Sequence, residues 1–301
     1  MTTGILTGIQ RFSLNDGPGI RTTVFFQGCN MHCVWCHNPE TIPMKPKLMF
    51  YPLKCVGCGA CIHVCPTGAQ TLCGGEHKID RSKCVSCGKC VENCFSSALV
   101  MSGRAYTVDE VLSEVLQDRE YYVQSGGGVT FSGGECTLQS GFLIELAKAC
   151  RANGIAAALE TNIDLPFEKL QPIFSEMDLI MFDLKLADSA AHETWTGMKN
   201  ERVKENILQT NRLGIPMIAR TPLIPGATDT VENIQAIIDF LAPLEHVTLY
   251  ELLNFNPLGG SKMDALGEEN PFACTKPLKK DALNELTEAL TIPDGFTVRI
   301  R

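Results

Sequence analysis

The hydrophobic pattern of this chain changes period repeatedly. Short runs rich in β-branched and aromatic residues occur at Thr22–Gln27, Val129–Ser132, Ile155–Glu160, Leu179–Leu184, Met217–Arg220 and Val247–Leu252. They are too short for helices, which makes them buried strands. Between them the apolar positions recur at helical spacing. Gln139–Asn153 stops before Gly154, a second helix opens near Pro166, Glu201–Leu213 stops before Gly214, and another runs from Thr230 to Pro243. Thr107-Val108-Asp109-Glu110 has the pattern of a capping box and predicts a helix to about Gln124, broken by Ser125-Gly126-Gly127-Gly128. Leu278–Leu290 reads as a last helix and Phe296–Ile300 as a closing strand. With that strand set aside, six strands alternate with helices, the pattern of an α/β protein with a parallel sheet. Eight would close a TIM barrel. Six predict an open, partial (β/α)6 TIM-like barrel, and a doubly wound sheet satisfies the same pattern.

One stretch interrupts the alternation. Between Pro52 and Met101 no helical pattern is long enough for a barrel, but two cysteine runs occur: Cys55, Cys58, Cys61, Cys65 and Cys84, Cys87, Cys90, Cys94. Their shared x2-x2-x3 spacing is an internal repeat and resembles that of two-cluster ferredoxins, in which the fourth cysteine of each run ligates the other cluster. Cys94 is then expected with Cys55, Cys58 and Cys61, and Cys65 with Cys84, Cys87 and Cys90. Pro66 follows Cys65 as in that pattern, whereas Phe95 follows Cys94. Two four-thiolate zinc sites are the alternative. The chain divides accordingly into the start of the barrel (1–51), a ferredoxin-like insertion with two clusters (52–102), and the rest of the barrel (103–301).

A third cysteine group, Gly28-Cys29-Asn30-Met31-His32-Cys33-Val34-Trp35-Cys36-His37, follows the first strand, at the end where parallel barrels build active sites. A cubane cluster has four irons, each normally bound by one thiolate. Three cysteines leave one iron with an open position, as in a catalytic zinc site. The same thiols can also pack as small hydrophobes or join His32 or His37 at a structural zinc. The Cys-x3-Cys-x2-Cys spacing, with Trp35 before the last cysteine, resembles the signature of radical S-adenosylmethionine (SAM) enzymes. Asp16-Gly17-Pro18-Gly19-Ile20-Arg21-Thr22 and Cys36-His37-Asn38-Pro39-Glu40 resemble the opening of the glycyl-radical-enzyme activating enzymes, the subfamily that includes pyruvate formate-lyase activase. The resemblance extends over nearly the whole chain.

That resemblance implies SAM, a 4Fe–4S cluster on Cys29, Cys33 and Cys36, and two ferredoxin-type clusters, three in all. Trp35 would lie beside the cofactor. Gly133-Gly134-Glu135 matches the segment that binds the methionyl amino group, with Cys136 where proline is usual. Glu160-Thr161 and Asp183 match positions lining a monovalent-cation site beside SAM, although Glu160 replaces an Asp and Ile163 a Gly. Lys185 pairs with Asp183 or with the SAM carboxylate, and is placed with the three cysteines nearest the chemistry. Arg220 matches an arginine that helps hold SAM. Asn256 stands where many activases carry a titrating His, and Asn cannot titrate. The radical so formed would take hydrogen from a backbone glycine of a partner enzyme, whose loop reaches the open barrel mouth near Asp16 and Arg21. Relatives with two extra clusters activate lyases, dehydratases and decarboxylases, so pyruvate formate-lyase itself is not the expected partner. The insertion would relay electrons from a ferredoxin or flavodoxin, or stabilise the domain. The alternatives are radical SAM chemistry on another peptide or small molecule, and an electron-transfer iron-sulfur protein.

Composition narrows the class. With 301 residues, 45% of them hydrophobic, the chain can bury a large core. Fifteen cysteines without a long apolar stretch in Met1–Arg11 predict a reduced, cytoplasmic setting. No apolar run approaches membrane-spanning length, and a net charge of −8 argues against a nucleic-acid surface. Cys73, Cys136, Cys150 and Cys274 remain unassigned, Cys150 on an apolar helix face. His63, His77, His192 and His246 lack spacing partners and read as structural or exposed, while Trp195, Tyr121 and Tyr122 read as packing.

Overall fold

The computed structural model describes residues 2–301. Its strands are β1 (Thr3–Ser13), β2 (Arg21–Phe26), β3 (Leu48–Phe50), β4 (Gln70–Cys73), β5 (Glu76–Ile79), β6 (Leu99–Met101), β7 (Arg104–Thr107), β8 (Gly128–Gly133), β9 (Ala157–Thr161), β10 (Leu179–Asp183), β11 (Met217–Leu223), β12 (Val247–Asn254) and β13 (Val298–Ile300). Nine of them form one mixed sheet in the order β13-β12-β11-β10-β9-β8-β2-β1-β7. From β2 to β13 every neighbouring pair is parallel, while β1 runs antiparallel to β2 and β7. The six strands expected from the pattern are β2 and β8 to β12, adjacent in chain order.

Three local expectations are corrected. The closing strand is not separate: β13 pairs in parallel with β12, as a seventh parallel strand. β1 was not foreseen, because Gly4 and Gly8 interrupt its apolar positions. Gly4 is there for packing, since a Cβ would lie 2.3 Å from the Phe142 ring. The helix opened by the Thr107 capping box ends at Leu116, and a second helix covers Arg119–Ser125. The break comes at Asp118, whose side chain turns inward to accept bonds from Arg11 and Thr22, while the Val115 carbonyl accepts from Asp118 N and the Tyr122 hydroxyl.

Alternation along the parallel strands sorts residues to two faces. The outer face, including Val24, Phe26, Val129, Phe131, Leu159, Ile180, Phe182 and Met217, packs on the helices in one large apolar core. The inner face has a small apolar cluster at its base, Ala158, Met181 and Ile218, and charged residues toward the strand ends. The sheet curls around that face: Asn15, between β1 and β2, accepts at its carbonyl from Arg220 of β11 (3.1 Å) and from Arg301 beyond β13 (3.4 Å).

Between β2 and β7 the chain makes an excursion. β3 and β6 pair antiparallel at its neck, and β4 and β5 form a hairpin. Two short helices, Ala60–Val64 and Lys89–Glu92, each follow a glycine with positive φ, Gly59 and Gly88. Ser102 N donates to Lys47 O (2.8 Å) where the excursion rejoins the barrel. Among the described residues no helix is long and apolar enough to cross a membrane.

Candidate active site

The loop carrying Cys29, Cys33 and Cys36 is fixed by backbone bonds to distant elements. Gly28 N donates to Thr41 O (2.6 Å), His32 N to Thr196 O (2.8 Å) and Val34 N to Trp195 O (3.1 Å). Helix Ser189–Thr196 therefore supports the loop from one side. From the other, Asn30 donates to Asp164 O (2.9 Å), and Asn162 donates to the side-chain oxygen of Asn30 (2.7 Å) and to the Cys29 sulfur (3.9 Å). Trp35 is buried among Trp195, Phe255 and Phe272, with ring centroids 5.8 Å from Trp195 and 6.4 Å from Phe272.

The three thiols need a cation beside them to ionise. Burial pushes Cys29 up to about 12 and raises Cys33 and Cys36 as well, so without a cation they stay protonated. A metal reverses this, since a coordinating thiol is deprotonated. Among the described residues no three Cys, His, Asp or Glu side chains converge on one ion, and His32 and His37 are exposed.

Gly133 and Gly134 lie against the same loop. Gly133 has φ +113°, and a Cβ there would be 2.2 Å from Phe26 N; at Gly134 it would be 2.3 Å from Gly28 O. Only glycine lets the two backbones meet, with Gly134 N donating to Phe26 O and Glu135 N to Gly28 O. The Glu135 side chain is fully buried and accepts from Thr137, from the Thr161 hydroxyl (2.8 Å) and from Asn162 N (2.7 Å). Its carboxylate is thus a brace between β8 and β9, and what this segment offers a ligand is backbone. Cys136 is buried, its thiol directed at the Phe131 and Glu160 carbonyls.

Across the inner face, register aligns Asp183, Arg220, Glu251 and Arg299 in one row of alternating charge on β10 to β13. Arg220 is almost fully buried and donates to Glu251 (3.0 Å) and Glu160 (2.6 Å). Burial opposes its charge, but the two carboxylates prevail and raise its pKa. Ser132 donates to the other Glu160 oxygen, so each oxygen of that carboxylate already has a partner. Arg220 is thus the centre of an ion cluster with Glu160 and Glu251 as its counter-ions. Glu251 and Ser132 were missed. Only strand register reveals them, because neither belongs to a sequence motif.

Lys185, buried just past β10, donates to Asp183 at 2.6 Å. Burial alone would lower its pKa, yet Asp183 and the nearby Cys33 and Cys29 raise it. Asn256 is exposed, accepts from Leu258 N (3.1 Å), and lines a cleft with Trp35, Cys36 and Phe272. Arg21 does not face the mouth. It is buried, donating to Thr130 and to the Val129 and Pro18 carbonyls, while Asp16 accepts from Ser13 and Thr23.

In the excursion two cavities each collect four cysteines. Cys55, Cys58, Cys61 and Cys94 line one; Cys65, Cys84, Cys87 and Cys90 line the other. The fourth cysteine of each run lies with the first three of the other. His77, read as structural or exposed, is hydrogen-bonded to Gln70 (2.6 Å) and lies 3.5 Å from Cys61.

Comparison with known proteins agrees with this geometry. The radical SAM superfamily model matches residues 23–241. The isethionate sulfite-lyase activating enzyme of Desulfovibrio desulfuricans is 40% identical over 96% of this chain and 97% of that protein. The benzylsuccinate synthase activating enzyme of Thauera aromatica is 38% identical over 89% and 83% of the two chains. The choline trimethylamine-lyase activating enzyme of Oleidesulfovibrio alaskensis is 34% identical over 98% and 97%. A radical SAM methyltransferase from Sphaerobacter thermophilus, only 12% identical, shares the fold over 98% of this chain and 77% of its own, with a TM-score of 0.52. The chain belongs to the radical SAM superfamily and, within it, to the glycyl-radical-enzyme activating enzymes. SAM and a 4Fe–4S cluster are the cofactors that membership implies.

Proposed function

We propose that this protein activates a partner glycyl radical enzyme, a lyase, dehydratase or decarboxylase, by removing a hydrogen atom from one backbone glycine. The names of its relatives support the reaction class. The observation that carries the reading is the cysteine loop locked against Gly133 and Gly134 at the strand ends of a curled, open sheet. Cys29, Cys33 and Cys36 would hold the SAM-binding cluster. When bound, that cluster supplies the electron that breaks the bond between the sulfonium sulfur and C5′ of SAM, giving methionine and a 5′-deoxyadenosyl radical.

The chain's own part is placement and shielding. The glycine backbone at Gly133 and Gly134 leaves room for the methionyl end of SAM. Lys185, beside Cys33, offers a cation that its bond to Asp183 keeps charged. Trp35, Phe255 and Phe272 exclude water beside Cys36. Glu135, Arg220 and Glu160 brace the strand ends, and Thr161 and Asn162 tie that brace to the loop. Each Glu160 oxygen keeps a free lone pair beside its one partner, so Glu160, with Thr161 and Asp183, remains a candidate ligand for a monovalent cation beside SAM. The excursion, residues 52–102 with β3 and β6 as its neck, is read as a ferredoxin-like insertion. Its clusters would take Cys55, Cys58, Cys61 with Cys94, and Cys84, Cys87, Cys90 with Cys65, supported by the two cavities. A ferredoxin or flavodoxin would supply the electrons.

The test is anaerobic reconstitution with iron and sulfide, then dithionite, SAM and a glycine-loop peptide deuterated at the glycine α-carbon. Wild-type protein should release deuterated 5′-deoxyadenosine, and Cys33→Ala none. No product from protein holding roughly twelve irons, the content of three cubane clusters, would overturn the activating reading in favour of an electron carrier.

A further inference from the structure

Asn162, just past β9, is 6% exposed and turns its side chain toward the metal loop. Its amide belongs to a closed ring of three hydrogen bonds. Asp164 N donates to Asn162 Oδ1 (3.0 Å), Asn162 Nδ2 to Asn30 Oδ1 (2.7 Å), and Asn30 Nδ2 back to Asp164 O (2.9 Å). The ring fixes which way the Asn162 amide points: turned over, its NH2 would face the Asp164 N–H, donor against donor.

An amide nitrogen carries two hydrogens, and the ring uses one of them. The other is directed at Cys29 Sγ, 3.9 Å from Nδ2. Among the described residues no other side chain donates to any of the three loop sulfurs. Met31 N and Asn38 N, which reach Cys29 and Cys36, belong to the loop's own backbone. A neutral thiol is a weak acceptor. A sulfur ligated to iron carries negative charge, and hydrogen bonds to charged acceptors are the shorter and stronger ones. The buried N–H thus has a full partner only when Cys29 is a metal ligand.

The residue is also held from behind. Asn162 N donates to the Glu135 carboxylate (2.7 Å), which accepts from the Thr161 hydroxyl as well (2.8 Å). On the other side Ile163 sits at φ +55°, its carbonyl accepting from Asn206 (2.6 Å). Backbone strain of that kind persists only where the surroundings over-determine it, and it gathers at functional sites. Here it turns the chain so that Asp164 N meets Asn162 Oδ1.

We infer that Asn162 is a positioning residue that tunes the SAM-binding cluster: its second amide hydrogen, held on Cys29 Sγ by the ring with Asn30 and Asp164, raises the reduction potential of the cluster bound there. This rests on the proposed function, in which Cys29, Cys33 and Cys36 hold that cluster. One electron from the reductant adds negative charge to the site, so a donor to its sulfur favours the reduced form. No protein bond breaks and no proton is transferred. The donor eases entry of the electron and lowers the drive of that electron toward SAM.

The experiment is an EPR-monitored redox titration of the reconstituted holoenzyme, iron content verified. The signal followed is the one that changes when SAM is added, which marks the cluster with the open iron. Asn162→Ser keeps the turn, because a serine hydroxyl closes the same bond to the N–H two residues on, but it ends an atom short of the nitrogen that faces Cys29. The reduced-to-oxidised ratio at fixed potential should fall about tenfold, a midpoint about 59 mV lower for one electron. Asn162→Leu, which removes the donor at similar size, should agree. Asn30→Ala opens the ring yet keeps the donor, and should change the ratio by less than about threefold. An unchanged midpoint in both Asn162 variants would overturn the inference. So would an equal drop, or an equal loss of iron, in Asn30→Ala, which would make the ring a brace for the loop. A wild-type protein in which no EPR signal responds to SAM would overturn the cluster assignment of the proposed function, and this inference with it.

Discussion

The barrel and the excursion are held by different forces. In the barrel, strands and helices share a continuous apolar core, with Phe131, Leu143, Leu146, Leu159, Phe174 and Phe182 wholly buried. Burial of that kind suffices for a domain of this size. Between Pro52 and Ser102 only six residues are buried: Ala69, Gln70, Cys90, Ala98, Leu99 and Ser102. So small a core contributes little to ordering fifty residues; if the excursion holds the proposed clusters, their binding energy becomes its folding energy.

Removing iron should expose that difference most strongly. A chelator under reducing conditions should leave the barrel folded and open the excursion, so that trypsin cuts first at Lys54, Lys78, Lys83 or Lys89. Limited proteolysis with mass spectrometry checks this. If the iron-free protein resisted cleavage there as well as the holoenzyme does, the excursion would have a fold of its own and the contrast would be wrong.

A second test asks whether apolar burial alone accounts for the barrel. Arg220→Met removes the cation between Glu160 and Glu251, leaving the part-buried Glu160 with only Ser132 and the buried Glu251 with Arg301 and Arg299 at the sheet edge. Breaking a buried pair by removing one partner costs about 3–5 kcal/mol, visible as a lower urea midpoint at neutral pH. Unchanged or higher stability would mean that the row of charges contributes nothing to the barrel.

The same contrast explains what could be read from sequence. The barrel strands were legible because each is a short buried run between helical periods, and the grouping of the excursion's cysteines because their repeated spacing pairs the two runs. β1 was not legible: as a half-buried strand with glycines at positions 4 and 8, it lacks the alternation that marks a strand. The inner charge row escaped for another reason. Glu251 and Ser132 gain their meaning from register across β8 to β12, and register is a property of the folded sheet. Arg220, Glu160 and Glu135 were found by position, but not their partners: Arg220 pairs with Glu160 and Glu251, and Glu135 accepts from Thr137, Thr161 and Asn162 N. Ile163 shows the same limit. Its φ of +55° is costly for a β-branched residue, and it is held there by Thr161 and Asn206.

The smallest effect concerns the joint between barrel and metal loop. His192 lies in helix Ser189–Thr196, whose Trp195 and Thr196 carbonyls accept from that loop. Its Nδ1 is 2.6 Å from Met198 O and so carries the ring proton, leaving Nε2 buried without a partner. Burial holds its pKa below the usual value, and Lys185 and Lys204 act in the same direction. Below about pH 6.5 the unfolded chain takes up a proton that the native ring refuses, so stability falls as pH falls, by at most about 1.4 kcal/mol per pH unit. Glu135, whose pKa burial raises, contributes the opposite slope near its own titration. That contribution is common to wild type and His192→Gln and cancels in their difference. The variant should be the less stable of the two at about pH 7.5, and the gap in Tm between iron-free proteins should narrow by about pH 5.5, where the wild-type ring bears its titration cost. A gap that stayed constant across that range would mean that His192 is not held neutral, and that the support beneath the metal loop is indifferent to pH.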